Sequence, residues 1–86
     1  MARKNGSNNT RSSELISKLP LLELLGENRV LVENHLGVMG YSADEIKIKI
    51  SSGLWIVSGA DLKFLQISQN QMIIDGKIYS IVIQGR

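Results

Sequence analysis

Arg29-Val30-Leu31-Val32-Glu33-Asn34-His35-Leu36-Gly37-Val38 decides how the rest of the chain is read. Val30 and Val32 fall on one side of an extended backbone, and polar Arg29 and Glu33 close the run at its two ends. A polar corner follows at once, and then a second apolar run begins. A period of two is the mark of a half-buried strand. Upstream, Leu21–Leu25 reads as a strand, joined by a turn at Gly26-Glu27-Asn28, where Gly and Asn tolerate left-handed backbone angles. Downstream, His35–Gly37 makes a corner and Val38–Tyr41 continues as a strand. After a polar loop at Ser42–Glu45 comes Ile46-Lys47-Ile48-Lys49-Ile50. That strict alternation predicts isoleucines toward a core and lysines toward water.

Ser51-Ser52-Gly53 then reads as a hairpin turn into Leu54–Ser58, a more continuously apolar run suited to a central strand. Gly59-Ala60-Asp61 is expected to turn the chain again. Beyond it, Leu62 and Phe64 share one parity while Leu65 and Ile67 share the other, which predicts a bulge, a bend or a passage between sheets. Met72–Ile74 is a further strand, Asp75-Gly76 a two-residue hairpin signal, and Ile78–Ile83 the last strand. About seven or eight short strands with turns every eight to twelve residues predict an all-β fold, a small antiparallel β-sandwich or barrel. Ile56-Val57-Ser58-Gly59 is echoed by Ile73-Ile74-Asp75-Gly76. Two copies are too few for a solenoid, and two similar hairpins are the expectation.

With 86 residues the chain holds one domain. Hydrophobic residues make up 43%, but Tyr41, Trp55, Phe64 and Tyr79 are the whole aromatic content, so Ile, Leu and Val must build the core. There is no cysteine, which excludes disulfides, thiolate zinc sites and cysteine nucleophiles. The polar segment 1–13 (MARKNGSNNTRSS) lacks the apolar surface to offset ordering entropy and is expected to be a disordered basic tail. Residues 14–86 are expected to form the single β domain. A turn of helix or coil at Glu14–Lys18 is stopped by Pro20.

The net charge of +2 resides in the tail, where Arg3, Lys4 and Arg11 oppose Glu14; residues 15–86 balance seven basic against seven acidic side chains. A reader of nucleic acid usually carries a basic face, whereas the lysines here are spread along the chain, Lys47 and Lys49 on one predicted strand and Lys63 and Lys77 elsewhere, with acids interspersed. No specific nucleic-acid binding is expected. The alternative is weak, salt-dependent binding of nucleic acid or anionic membrane through the tail. No apolar stretch approaches the ~18 residues that span a bilayer, and no secretory signal is present. A cytoplasmic protein is expected.

Glu33-Asn34-His35 places a histidine, the side chain most easily used for acid–base work near neutral pH, beside a carboxylate. Catalysis would need a positioned partner and a reacting atom within reach, and adjacent strand residues point to opposite faces. Glu33, Asn34, His35 and Leu36, with Tyr41, are therefore read as a corner and partner-contact surface. One histidine with scattered carboxylates supplies no zinc site. No G-x-S-x-G elbow is present, and Asp75-Gly76-Lys77 lacks the spacing of a phosphate loop. No catalytic residue, cofactor or metal is assigned. Trp55 shares a parity with Val57 and is expected in the core. A β domain without a reaction centre acts through its surface, and open strand edges invite strand addition.

The segment from Leu19 to Ile83 resembles the YabP/YqfC family of sporulation proteins from endospore-forming bacteria. The matching residues are Pro20-Leu21-Leu22-Glu23-Leu24, Gly26, Val30–His35 with Gly37-Val38 and Tyr41, Ile46-Lys47-Ile48, Ser52-Gly53-Leu54, Gly59–Leu62, Ile73–Ile78 and Ser80-Ile81. Glu-Asn-His-x-Gly-Val looks more like the YqfC branch, although Leu36 stands where that branch often shows Arg. The resemblance implies an immunoglobulin-like sandwich and a non-enzymatic adaptor or assembly role in the mother cell. It also implies a protein partner, an integral membrane sporulation protein of the YqfD type, with spore-coat assembly of the YabP type as the alternative. A homo-oligomer fits so small a domain. The implied location is the mother-cell cytoplasm, at the forespore membrane or in the spore coat.

Overall fold

The computed structural model describes residues 18–85. The expected tail at residues 1–13 and most of the helical turn that begins at Glu14 lie outside the described residues. Six strands are present: β1 (Leu21–Leu25), β2 (Arg29–Glu33), β3 (Gly37–Tyr41), β4 (Glu45–Ile50), β5 (Gly53–Ile67) and β6 (Gln71–Gly85). All pairings are antiparallel, and the strands form one sheet in the order β1-β2-β6-β5-β4-β3.

The all-β antiparallel class is as the sequence predicts; the layout is not the expected one. One continuous sheet stands in place of two separate sandwich sheets, and six strands in place of seven or eight. The difference arises in the long β5–β6 hairpin, whose strands run for 15 residues each. Gly59-Ala60-Asp61 and Asp75-Gly76 were expected to end strands, and both lie inside them. Asp75 pairs in register with Arg29 of β2, and their side chains form an exposed ion pair at 3.3 Å.

These glycines serve a bend. The β5–β6 register shifts between Ser58 and Gly59, between Ala60 and Lys63, and between Phe64 and Gln66. Gly76 has φ +139° and Asp61 φ +55°. A Cβ on Gly76 would lie 2.7 Å from the Asp61 carbonyl oxygen, and one on Gly59 would collide with the carbonyl oxygen of Lys77. Only a residue without a side chain allows the two backbones to approach this closely. The echo between residues 56–59 and 73–76 thus marks one bend, with a glycine on each strand. Neighbouring loops hold it. Gly59 N–H donates to the Asp44 carbonyl at 2.9 Å, Leu62 N–H to the Ala43 carbonyl at 2.9 Å, and Gly76 N–H to the Asn28 carbonyl at 3.0 Å.

The bend divides the sheet. Along β6, β2 reaches only Gln71–Asp75, and along β5, β4 reaches only Gly53–Ser58. Val30 and Val32 of β2, Ile46, Ile48 and Ile50 of β4, Val57 and Leu62 of β5, and Met72 and Ile74 of β6 form one buried cluster. No other layer exists among the described residues. Burial of β2 and β4 side chains in one cluster therefore requires the sheet to fold back on itself, so that its two halves cover each other. Trp55 packs against this cluster from a partly buried position, short of the full burial expected. The predicted phase change is explained by the shift at Phe64/Gln66: Phe64 packs on the core, while Leu65 and Ile67 are exposed.

Ile48→Ala is expected to lower unfolding free energy by about 2–5 kcal/mol, and Gly76→Ala by about 1–3 kcal/mol through backbone strain. Lys49→Ala, on the exposed face of the same strand, should stay within about 0.5 kcal/mol. Urea unfolding followed by far-UV circular dichroism measures all three. A Gly76→Ala protein as stable as the parent would remove the bend from this account.

Candidate partner-binding surface

The corner singled out in the sequence joins β2, second in the sheet, to β3 at its far edge. The chain must cross between the two halves in three residues, and each carries part of the crossing. Asn34 takes φ +62°, a left-handed conformation that Asn accepts more readily than most residues. Its N–H donates to the Asn70 carbonyl at 2.6 Å, and its side-chain amide donates to the Leu19 carbonyl at 2.8 Å. Leu36 N–H reaches the other half, donating to the Lys49 carbonyl at 2.8 Å. The corner is thereby tied to the β5–β6 turn on one side and to the end of β4 on the other.

His35 lies between these anchors and is 6% exposed. This places it beneath the surface rather than among the contact residues expected of the corner. Its Nδ1 accepts the Gly37 N–H at 3.0 Å. An imidazole nitrogen that accepts is unprotonated, so in the neutral ring the proton sits on Nε2. Nε2 is buried and has no hydrogen-bond partner, an arrangement that costs about 1–3 kcal/mol relative to a satisfied donor. Glu33 faces away: its carboxylate accepts from Gln71 Nε2 at 3.1 Å, beside a shallow polar depression of about 250 Å³ lined by Glu33, Asn34, Asn70 and Gln71. Glu33 and His35 do not share a centre.

Tyr41 stands at the opposite end of β3, five residues on from Leu36 and at most about 16 Å away at the rise of an extended strand. Its hydroxyl donates to the Leu62 carbonyl at 3.2 Å, and its ring packs on Phe64 with centroids 5.1 Å apart. Between them is Met39, which the sequence reading did not single out. The β3–β4 register shifts between Val38 and Gly40, so Met39 bulges out of the ladder. Leu36 at the corner, 59% exposed, and Met39 at 61% and Tyr41 at 56% on β3 follow one another along this edge as a row of exposed apolar side chains, with Tyr41 on the face it shares with Ile46. An exposed bulge residue leaves no periodic trace; Gly40, one residue on, is the local hint.

Among the described residues, no group of three or more His, Asp and Glu is placed to hold a metal ion, and no helix is long and apolar enough to cross a membrane. The fold and this surface define a small antiparallel all-β domain that presents apolar side chains along a sheet edge. Residues 18–86 match the model of the YabP family, and the chain belongs to that family. It is also 25% identical, over 65 residues, to uncharacterized protein YqfC of Bacillus subtilis (strain 168), a match covering 76% of this chain and 70% of that protein. No solved structure matches.

Two-bond ¹⁵N–¹H correlation spectra should show the neutral His35 ring protonated at Nε2 and bare at Nδ1. His35→Ala should lower stability by about 1–3 kcal/mol through the lost packing and the freed Gly37 N–H, while Leu36→Ala changes it by less than about 0.5 kcal/mol. A protonated Nδ1 would contradict the hydrogen bond from Gly37.

Proposed function

We propose that this chain is a non-enzymatic sporulation protein that acts as an adaptor or assembly module by binding another protein in the mother cell. The YabP/YqfC family is sporulation-associated, and the observation that supports a binding role is the apolar row on β3. The bulge at Met39 interrupts the backbone ladder of this edge, so recognition here rests on the exposed apolar side chains, which can serve as anchors for a partner. Leu36, Met39 and Tyr41 provide that row, with Glu33 and Asn34 as a polar rim at one end. Burial of His35 and its bond to Gly37 fit a role in setting the start of β3, so that the row has a fixed direction. The partner this reading favours is an integral membrane sporulation protein of the YqfD type, which would hold the chain at the forespore membrane.

Affinity capture of the tagged full chain from sporulating cells tests the reading, with Leu36→Glu and Met39→Glu in parallel samples. The parent should retain a membrane partner, and each charged variant should recover at least about tenfold less, as expected when an apolar anchor is lost. Recovery of coat proteins instead would shift the role to coat assembly. Unchanged recovery by both variants, or normal spores from a deletion strain, would refute the proposal.

A further inference from the structure

A second edge is built differently from all the others. β2 stops pairing with β6 at Asp75, so the stretch of β6 beyond Gly76 has β5 on one side and no strand on the other among the described residues. Proteins usually guard such edges with charge, bulges or brevity. β1 carries Glu23 at its centre, β3 is bulged at Met39, and the free half of β5 is bulged twice and carries Asp61 and Lys63. From Ser80 to Gly85 the register with β5 is unbroken, and the run Ile78–Gly85 contains no charged residue. Val82 is 49% exposed, and Ile83, at 74%, is the most exposed large hydrophobic side chain described.

We infer that this edge pairs with a second copy of the same chain, β6 against β6 in antiparallel register about a two-fold axis at Val82. The sequence Ser80-Ile81-Val82-Ile83-Gln84 is chemically palindromic about its centre. In that register Ile81 faces Ile83 of the mate, Ser80 faces Gln84, and Val82 faces itself. Apolar meets apolar, polar meets polar, and no charge is buried. Cross-strand pairs of this kind are what stabilise a ladder, and a two-fold contact requires such self-complementarity.

The inner side of the edge supports the same occupant. Ile81 and Ile83 pair with Val57 and Trp55 and so share their face. There the folded sheet is left open, as a cleft of about 300 Å³ lined by Pro20, Leu21, Leu22, Trp55, Ile81 and Ile83. The mate's Ile81 and Ile83 would extend this wall and shield Ile83 from water, while the β3 row stays on the far edge of the sheet. This inference does not rest on the proposed function.

The test uses the full chain, which has no cysteine of its own. Light scattering should give twice the 9.5 kDa chain mass. Val82→Lys, which sets two like charges opposite each other, should weaken self-association by at least about tenfold and leave the far-UV spectrum unchanged. Under mild oxidation Val82→Cys should cross-link to its mate, since directly opposed strand residues lie within disulfide reach. Ser80→Cys, about four residues from its own copy, should not. A parent protein monomeric at millimolar concentration, a dimer that Val82→Lys leaves intact, cross-linking of Ser80→Cys in preference to Val82→Cys, or an edge that binds a foreign strand while the chain stays monomeric would each overturn the inference.

Discussion

The close backbone approach at Gly59 and Gly76 is the constraint on which the architecture depends. Six strands in one flat sheet cannot exclude water from either face. A hairpin of two 15-residue strands bent at its middle solves this with one chain and one ladder, because each half of the hairpin recruits its own neighbours and the halves then face each other. The bend demands atoms that only glycine leaves out, together with a left-handed residue at Asp61. The carbonyls of Ala43, Asp44 and Asn28 satisfy the amides that the bulges release from the ladder, so the bend leaves few polar groups to be buried without partners.

The corner at Asn34–Leu36 follows from the bend. Once the sheet is folded, β2 and β3 lie in opposite halves, and the chain between them must cross the edge of the core in three residues. A left-handed Asn, a buried imidazole that accepts a backbone amide, and a leucine whose amide reaches β4 form a compact bridge. The unpartnered Nε2 is the price of putting an imidazole there. The same bridge fixes the direction in which β3 leaves the corner, and hence where Leu36, Met39 and Tyr41 emerge.

Strand periodicity made much of this legible from sequence. The alternation in Ile46–Ile50 is reproduced as buried isoleucines and exposed lysines, and the parity change after Leu62 marked a real bulge. Glycine was the ambiguous sign. A hairpin turn and a bulge both require a residue that accepts unusual angles or close approach, so Gly59 and Gly76 look locally like strand ends. What separates the two cases is whether the chain reverses, and that depends on contacts with residues 28, 43 and 44, far away in sequence. The corner residues were found because polar residues interrupt a run. His35 was placed on the surface for the same reason, although its neighbours bury it. Met39 was missed because its exposure comes from a register shift with β4, which one strand's sequence cannot show.

The distribution of exposed apolar surface then acquires a physical meaning. A domain of this size buries only a modest share of its chain and has little stability to spare; without cysteine it has no disulfide to compensate. Selection against aggregation should favour charge on every edge. Charge or bulges do interrupt β1, β3 and the far half of β5, yet the last stretch of β6 has neither. An unguarded, regular, self-matching edge persists in a β domain only if something covers it, because the alternative is indiscriminate pairing. The two halves of the bent sheet differ in this respect. The β3 side is bulged and irregular, suited to one particular partner, and the β6 side is regular and palindromic, suited to an identical strand. One bend therefore sets both surfaces, by freeing the β6 edge from β2 and by sending β3 to the opposite rim.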